Sequence, residues 1–364
     1  MINTVPFFSI IVPCCDVEPY VKECLMSVIN QSFKDWECII GIETCKDRTE
    51  DVIHKIIDGD DRFKVFTGPR SGSCSASRNT GIDLAQGEYV IFLDGDDTIV
   101  DGSLERLHDK IVERLGADIY PCAMLVRNEI TDQYEPTRDN YPEDCNGELT
   151  GPEAIVTSYT FRRFPCPMLQ LSVFRRQHLV SNNLKCIYGL RRQDSEFAPR
   201  ALYSAKRVIP LHEAFYIYRI RTQSVSTLAE GIFAFLGDYS IILKSLLVFH
   251  ATVSVQKDFD HRISSLWAKH WLTWLYYNWF SPQNIRQTNR QRRIETLQSA
   301  FVDGFANFNC LLRASTFSRR ISAWWVKLFV RYPSCAWLTD LFFVFIYFPL
   351  TNIRDKRRMK QERM

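Results

Sequence analysis

Gly87-Glu88-Tyr89-Val90-Ile91-Phe92-Leu93-Asp94-Gly95-Asp96-Asp97 decides how this chain is read, because an apolar run ends abruptly in three carboxylates. The run from Tyr89 to Leu93 suits a strand covered on both faces, and Gly95 allows a sharp turn through which Asp94 and Asp96 converge. Carboxylates at the C-terminal end of a strand suit a hard divalent cation. Mg²⁺ or Mn²⁺ held by only one or two of them keeps positions free for phosphate oxygens. The stretch therefore predicts a metal and nucleotide-phosphate site. Taken alone, Asp-Gly-Asp-Asp is more often a solvated turn that caps a following helix, here at Ser103-Leu104. The surrounding sequence favours the first reading.

Outward from that strand, short apolar segments alternate with amphipathic ones. Strands are expected at 8–13, 36–42, 63–66 and 88–93, with Val21, Leu25, Val28 and Ile29 at helical spacing between the first two. Val52, Ile53, Ile56 and Ile57 repeat that spacing after a Thr49 cap. This is the pattern of an α/β fold, a mainly parallel sheet with helices on both faces. Residues 1–101 read as a nucleotide-binding half. Residues 102–228 read as an acceptor-side half, with a helix at 104–115, a strand at 118–126 and a polar loop at 131–146 that borders a second substrate. The composition changes near Leu228, and 229–364 is expected to be a helical C-terminal region.

The chain has 364 residues, 46% hydrophobic and 24% charged, enough for a substantial core. Its net charge of +3 is the small difference between 45 basic and 42 acidic residues, so no global field argues for nucleic acid. Twelve cysteines are scattered without a Cys-x-x-Cys pair, which fits reduced, packed thiols in a cytosolic compartment. No basic stretch followed by a long apolar one marks a secretory signal at the N-terminus. Trp267, Trp271 and Trp274 form a stripe read as core or interdomain packing, with sugar stacking or a membrane contact as the alternatives, and basic residues gather around Arg286 to Arg293. The aromatic run 341–350 is too short to span a bilayer, which takes about 20 apolar residues. With Arg354, Lys356, Arg357, Arg358, Lys360 and Arg363 behind it, 336–353 reads as a helix lying in a cytoplasmic membrane interface, a packed terminal helix with a solvated basic tail being the alternative.

Four separated segments together resemble the family 2 glycosyltransferases of the GT-A fold, over roughly 7–227. The first is Phe8-Ser9-Ile10-Ile11-Val12-Pro13-Cys14-Cys15-Asp16 with the helix after it, although Cys15 and Asp16 stand where that family usually has Tyr and Asn. The second is Trp36-Glu37-Cys38-Ile39-Ile40-Gly41-Ile42-Glu43-Thr44, where Ile42 and Glu43 replace a pair of aspartates. The third is Arg70-Ser71-Gly72-Ser73-Cys74-Ser75-Ala76-Ser77-Arg78-Asn79, leading into the carboxylate strand. The fourth is Gly189-Leu190-Arg191-Arg192-Gln193-Asp194-Ser195-Glu196, with Gln193 in place of the family's Glu, followed by Tyr216-Ile217-Tyr218-Arg219 and Ser224-Val225-Ser226.

The resemblance implies a Rossmann-like mixed sheet and a metal-dependent, inverting transfer of sugar from a nucleotide diphosphate, a UDP-sugar being favoured, to an acceptor hydroxyl. It assigns nucleotide binding to Pro13, Glu43, Arg78, Asp94, Asp96 and Arg219, and ligation of Mg²⁺ or Mn²⁺ to Asp96 and Asp94. Asp97 supports the loop, and Arg221 joins Arg219 near the diphosphate. Inversion needs a carboxylate opposite the leaving group to take the acceptor's proton; Asp194 fills that position, with Glu196 the runner-up. His212 is a candidate third metal ligand, a structural histidine being the plainer reading. Family habit suggests a glycan or lipid-linked acceptor in cell-surface polysaccharide synthesis, at the inner face of the membrane. A non-catalytic nucleotide-sugar or glycan-binding relative is the alternative, suggested by Glu43 and Gln193. A nucleotidyltransferase would carry a Gly-rich phosphate loop, which Pro13-Cys14-Cys15-Asp16 does not supply.

Overall fold

Alternate side chains of the buried strands go to opposite faces of one sheet, and this period of two builds the first unit. The computed structural model describes residues 5–161, 168–221, 231–255, 279–301 and 317–347, together with isolated positions at 263–276 and residue 309. Strands β1 (Phe8–Cys14), β2 (Trp36–Glu43), β3 (Phe63–Gly68) and β4 (Tyr89–Phe92) are parallel, in the order β3-β2-β1-β4. Beyond β4 the sheet continues antiparallel with β9 (Ser172–Arg175) and then β6 (Ile119–Pro121), so it is mixed, as expected.

Phe8, Ile10 and Val12 of β1, Cys38 and Ile40 of β2, and Tyr89 and Ile91 of β4 face one apolar layer. That layer takes in Val21, Leu25 and Val28 of α1 (Glu18–Ile29), Ile53 and Ile57 of α2 (Thr49–Ile57), and Leu104, Leu107 and Ile111 of α4 (Ser103–Glu113). The intervening Ile11, Ile39, Val90 and Phe92 face the other layer. There they meet Ile82 of α3 (Ser75–Leu84), Ala154 of α5 (Gly151–Phe161), Leu179 of α6 (Arg176–Ser181), and Phe197 and Ala201 of α7 (Asp194–Ser204).

A second, four-stranded sheet runs β5-β10-β7-β8, from β5 (Thr98–Ile99), β10 (Ala214–Ile220), β7 (Ala123–Asn128) and β8 (Gln133–Arg138). Two expectations need correction here. The strand read as 118–126 is two strands broken at Cys122, one in each sheet, and the polar stretch 131–146 contains β8, paired antiparallel to β7. Thr49 is also not a cap. It is the first residue of α2, where its hydroxyl accepts from the Val17 N–H at 2.9 Å and donates to Asp47 at 2.6 Å.

The chain divides into compact units at Met1–Thr227 and Leu228–Met364. The second unit is helical: α8 (Gly231–Val255), α9 (Pro282–Gln287), α10 (Arg290–Ala300), α11 (Phe317–Arg331) and α12 (Ala336–Phe342), continued as a π-turn over Phe343–Tyr347. Asp340, which stands just before the aromatic run 341–350 and interrupts its extension, is the buried counterion of Arg293, whose two Nη atoms donate to its two carboxylate oxygens at 2.9 Å. Among the described residues no helix is long and apolar enough to cross a membrane. The tryptophan stripe, the Ser224-Val225-Ser226 loop and the basic tail lie outside the described residues.

Candidate active site

The parallel strands β1, β2 and β4 end on one edge of the sheet, so the loops leaving their carboxyl ends share a crevice, the usual ligand position in open α/β sheets. Pro13 lies at the buried end of β1 beside Gly41 of β2, and Asp94 lies just past the end of β4. Gly95 does not adopt a left-handed backbone. Its role is close approach: a Cβ there would sit 2.9 Å from the Cys14 sulfur and 3.2 Å from the Pro13 carbonyl oxygen.

Arg78, on α3 and 2% exposed, ties the site together. One terminal nitrogen donates to Asp94 at 2.5 Å and the other to Asp194 at 3.1 Å, across 116 residues of sequence. The other Asp94 oxygen accepts from the side-chain amide of Gln170 at 2.6 Å, and the Asp94 N–H donates to the Tyr216 hydroxyl at 3.3 Å. Burial opposes the Arg78 cation, but the two carboxylates beside it hold its pKa well above the usual value. Asp194 opens α7. Burial raises its carboxyl to about 6, with the charge of Asp94 adding to the rise; the Arg78 cation and the Leu169 N–H oppose it. A carboxylate near neutral pKa, beside a buried cation, is suited to exchange protons at physiological pH.

Asp96 faces a different cation. Its carboxylate pairs with Arg221 at 2.8 Å, while its carbonyl oxygen accepts from Arg219 Nε at 2.9 Å. Burial and the neighbouring Asp94 charge push the Asp96 carboxyl up. Asp97 is fully enclosed, accepting from the Tyr216 hydroxyl and from the Arg219 N–H at 2.8 Å, and its pKa is driven well up by burial. It therefore pins the carboxylate turn to β10. The Arg219 guanidinium also donates to Glu23 at 2.5 Å, and both Arg219 and Arg221 lie over the Tyr20 ring, at 5.3 and 5.0 Å from its centroid.

Of the residues singled out from sequence, Arg78 contacts both Asp94 and Asp194, and Asp96, Asp97, Arg219 and Arg221 form the adjoining cluster. Glu43 is elsewhere on the edge, with its carboxylate accepting from the Ser71 N–H at 2.8 Å and the Ser71 hydroxyl at 2.6 Å. Glu196 is 1% exposed and pairs through both oxygens with Arg200, at 2.6 and 2.7 Å, so the runner-up base is committed to a salt bridge. Both His212 ring nitrogens are engaged, one with Asp139 at 2.7 Å and one with the Cys145 carbonyl at 3.1 Å. Gln193, in the position of the family's Glu, is buried, and its side-chain oxygen has no hydrogen-bond partner.

Gln170 escaped the sequence reading. It sits in a single 3₁₀ turn (Leu169–Leu171), an element without a periodic signal, and only tertiary packing puts its amide on Asp94.

Residues 9–179 match the pattern of glycosyl transferase family 2. A glycosyltransferase of Bacillus subtilis, EpsJ, is 31% identical over 225 residues, covering 61% of this chain and 63% of that protein. A Campylobacter jejuni GalNAc(5)-diNAcBac-PP-undecaprenol beta-1,3-glucosyltransferase is 27% identical over 264 residues, covering 71% of this chain and 78% of that protein. The chain spans less than two thirds of the length of the Bacillus subtilis, Escherichia coli and Haemophilus influenzae relatives it matches. Among solved structures, Staphylococcus aureus TarS 1–349 superposes with a TM-score of 0.66 at 17% identity, covering 89% of this chain and 87% of that one. The same protein in complex with UDP-GlcNAc superposes with a TM-score of 0.64 at 20% identity, covering 92% and 88%. At that identity the likeness is one of fold, the GT-A arrangement.

Proposed function

We propose that this chain, whose residues 9–179 match glycosyl transferase family 2, works as a member of that family and transfers a sugar from a nucleotide diphosphate donor to an acceptor hydroxyl with inversion. The observation that carries this reading is the Arg78 bridge, which brings the carboxylate of the phosphate-side turn, Asp94, and the raised carboxyl of Asp194 to one buried cation. Asp194 acts as the base. Ionised, its oxygen accepts the proton of the acceptor hydroxyl as that oxygen attacks the anomeric carbon, while the donor's diphosphate departs on the opposite face. Arg78 orients both carboxylates, and Arg219 and Arg221 supply positive charge beside the carboxylate turn.

A hard divalent cation, Mg²⁺ or Mn²⁺, fits the Asp96 side of the site. Burial and the charge of Asp94 disfavour the Asp96 anion by more than its pairing with Arg221 offsets, and a divalent cation would add to that offset. Asp94 and Asp96 supply two carboxylates at most, which leaves coordination positions for phosphate oxygens. When bound, the ion neutralises charge that develops on the leaving diphosphate.

A UDP-sugar donor is supported by the fold shared with TarS, solved with UDP-GlcNAc. The undecaprenol-linked glycan in the name of the Campylobacter jejuni relative supports a lipid-linked acceptor and, with it, cell-surface polysaccharide synthesis. Attachment to the inner membrane surface is supported by the second unit, where Trp337, Leu341, Phe345 and Ile346 are exposed on consecutive turns.

The test is a panel of UDP-sugars incubated with purified protein and Mn²⁺ or Mg²⁺, scored by release of the nucleotide. We expect release that needs the cation and that falls about 10²- to 10⁴-fold in Asp194→Asn. Donor binding without turnover across the panel would instead support the non-catalytic alternative.

A further inference from the structure

We propose that Cys15, Asp16 and Cys45 form a second metal site, for a thiophilic divalent ion of the zinc class, separate from the hard-cation position at Asp96. The two sulfurs and a carboxylate oxygen of Asp16 all lie within 4.8 Å of one another, the one grouping of three such ligands among the described residues. They come from two loops that leave the sheet side by side. Residues 15–16 follow β1 and Cys45 follows β2, and the ends of these strands are in register, Cys14 opposite Ile42.

The chemistry of this set separates it from the carboxylate turn. Two thiols and one carboxylate favour a soft or borderline ion over Mg²⁺ or Mn²⁺. Tetrahedral zinc, with sulfur at about 2.3 Å and oxygen at about 2.0–2.2 Å, places its ligand atoms roughly 3.5–4 Å apart. Small side-chain rotations therefore close the cluster onto an ion.

The surroundings also suit one. Asp16 is oriented from outside the cluster, accepting from the Lys46 N–H at 2.6 Å and pairing with Arg70 at 2.7 Å, the kind of support that metal-binding carboxylates receive. Two thiolates and a carboxylate around a divalent ion leave one net negative charge, and Arg70 offsets it. The thiols point to backbone carbonyls, Cys45 to that of Glu43 at 3.0 Å and Cys15 to that of Thr44 at 3.9 Å. On binding, each thiol loses its proton to solvent and its sulfur lone pair forms the bond to the ion. None of the three residues is fully buried, so an ion can enter. Bound there, it ties the β1–α1 loop to the β2–α2 loop.

The test uses the full chain, reduced and free of oxygen, titrated with Co²⁺ as a spectroscopic probe. We expect thiolate-to-metal charge-transfer absorption and tetrahedral ligand-field bands that saturate at one equivalent. Zn²⁺ should displace the signal and Mg²⁺ should not. Cys15→Ser and Cys45→Ser should each abolish it, Asp16→Asn should weaken it, and Cys74→Ser should leave it intact. A parallel measurement needs no substitution: Zn²⁺ should slow alkylation of Cys15 and Cys45 selectively, read by peptide mass spectrometry. Absence of the thiolate band, a band that survives both cysteine substitutions, or equal alkylation with and without Zn²⁺ would each overturn the proposal. These readouts need no sugar donor, so their failure is distinct from failure of the transferase reading.

Discussion

Asp194 and Arg78 show how a buried cation and a nearby carboxyl set each other's state. Burial lifts the Asp194 carboxyl from an ordinary 3.8 to about 6, so the ionised carboxylate that the proposed base role needs accumulates only as pH rises through that value. The kcat/KM profile of the transfer should therefore show an acid limb near pH 6 that is absent from the residual activity of Asp194→Asn. The sign for stability is opposite. A raised folded-state pKa means the neutral form is the stabilising one, complete below about pH 4 and lost through about pH 6, so the wild type should lose stability relative to Asp194→Asn across that window, measured by thermal melts. Arg78 reaches two carboxylates with two nitrogens of one planar fork, and a lysine ammonium offers a single charged centre. Losing one hydrogen bond to a charged group costs about 1.5–3 kcal/mol, so Arg78→Lys should slow turnover roughly 10- to 100-fold in a donor-release assay. Both residues were marked from sequence because they stand in motifs of recognisable order. Gln170 and the Arg221 pairing with Asp96 were not specified there, since nothing local to those positions reports on a partner 76 or 125 residues away.

At the scale of elements, the strands with strong patterns were the legible ones. β1, β2 and β4 are buried on both faces and consist of apolar runs that local sequence displays directly. β8 carries Gln133 and Tyr134 exposed and Glu135 half-buried along a sheet edge, so no apolar alternation distinguishes it from a loop. The carboxylate strand is held in place by a feature that composition hides. Glu37 of β2 accepts from the Ser9 hydroxyl at 2.6 Å, the Lys64 ammonium at 2.6 Å and the N–H groups of Gln86 and Gly87 at 2.6 and 3.2 Å, joining β1, β2, β3 and the lead-in to β4. Gly87 permits that closeness, since a Cβ there would sit 2.7 Å from the backbone nitrogen of Ser9. Gly87→Ala should therefore destabilise the first unit by about 1–3 kcal/mol, visible as a lower melting temperature.

For the whole molecule, each compact unit depends on charge buried in its own interior. In the second unit, the Arg293 guanidinium pairs with Asp340 through two bonds and donates to the Trp279 carbonyl at 3.0 Å, with Phe280 and Phe329 rings beside it. Removing one partner strands the other, so Asp340→Ala should cost about 3–5 kcal/mol in denaturant unfolding. The exposed Trp337, Leu341, Phe345 and Ile346 belong to the same segment. If they enter a lipid interface, replacing Leu341 and Phe345 by Ser should weaken sedimentation with anionic vesicles about tenfold or more, and unchanged sedimentation would remove membrane attachment from the proposal.

The α/β class, the strand that carries the carboxylates and the residue types available for phosphate and proton chemistry are all legible along the chain. Those follow from periodicity and from motifs contained within a few residues. Folding alone settles which carboxylates share Arg78, that Glu196 belongs to Arg200 and Asp340 to Arg293, and that Cys15, Asp16 and Cys45 meet. The physical reason is that a charge's partner is chosen by proximity in space and by burial. Neither is encoded by spacing along the chain once the contact spans different elements.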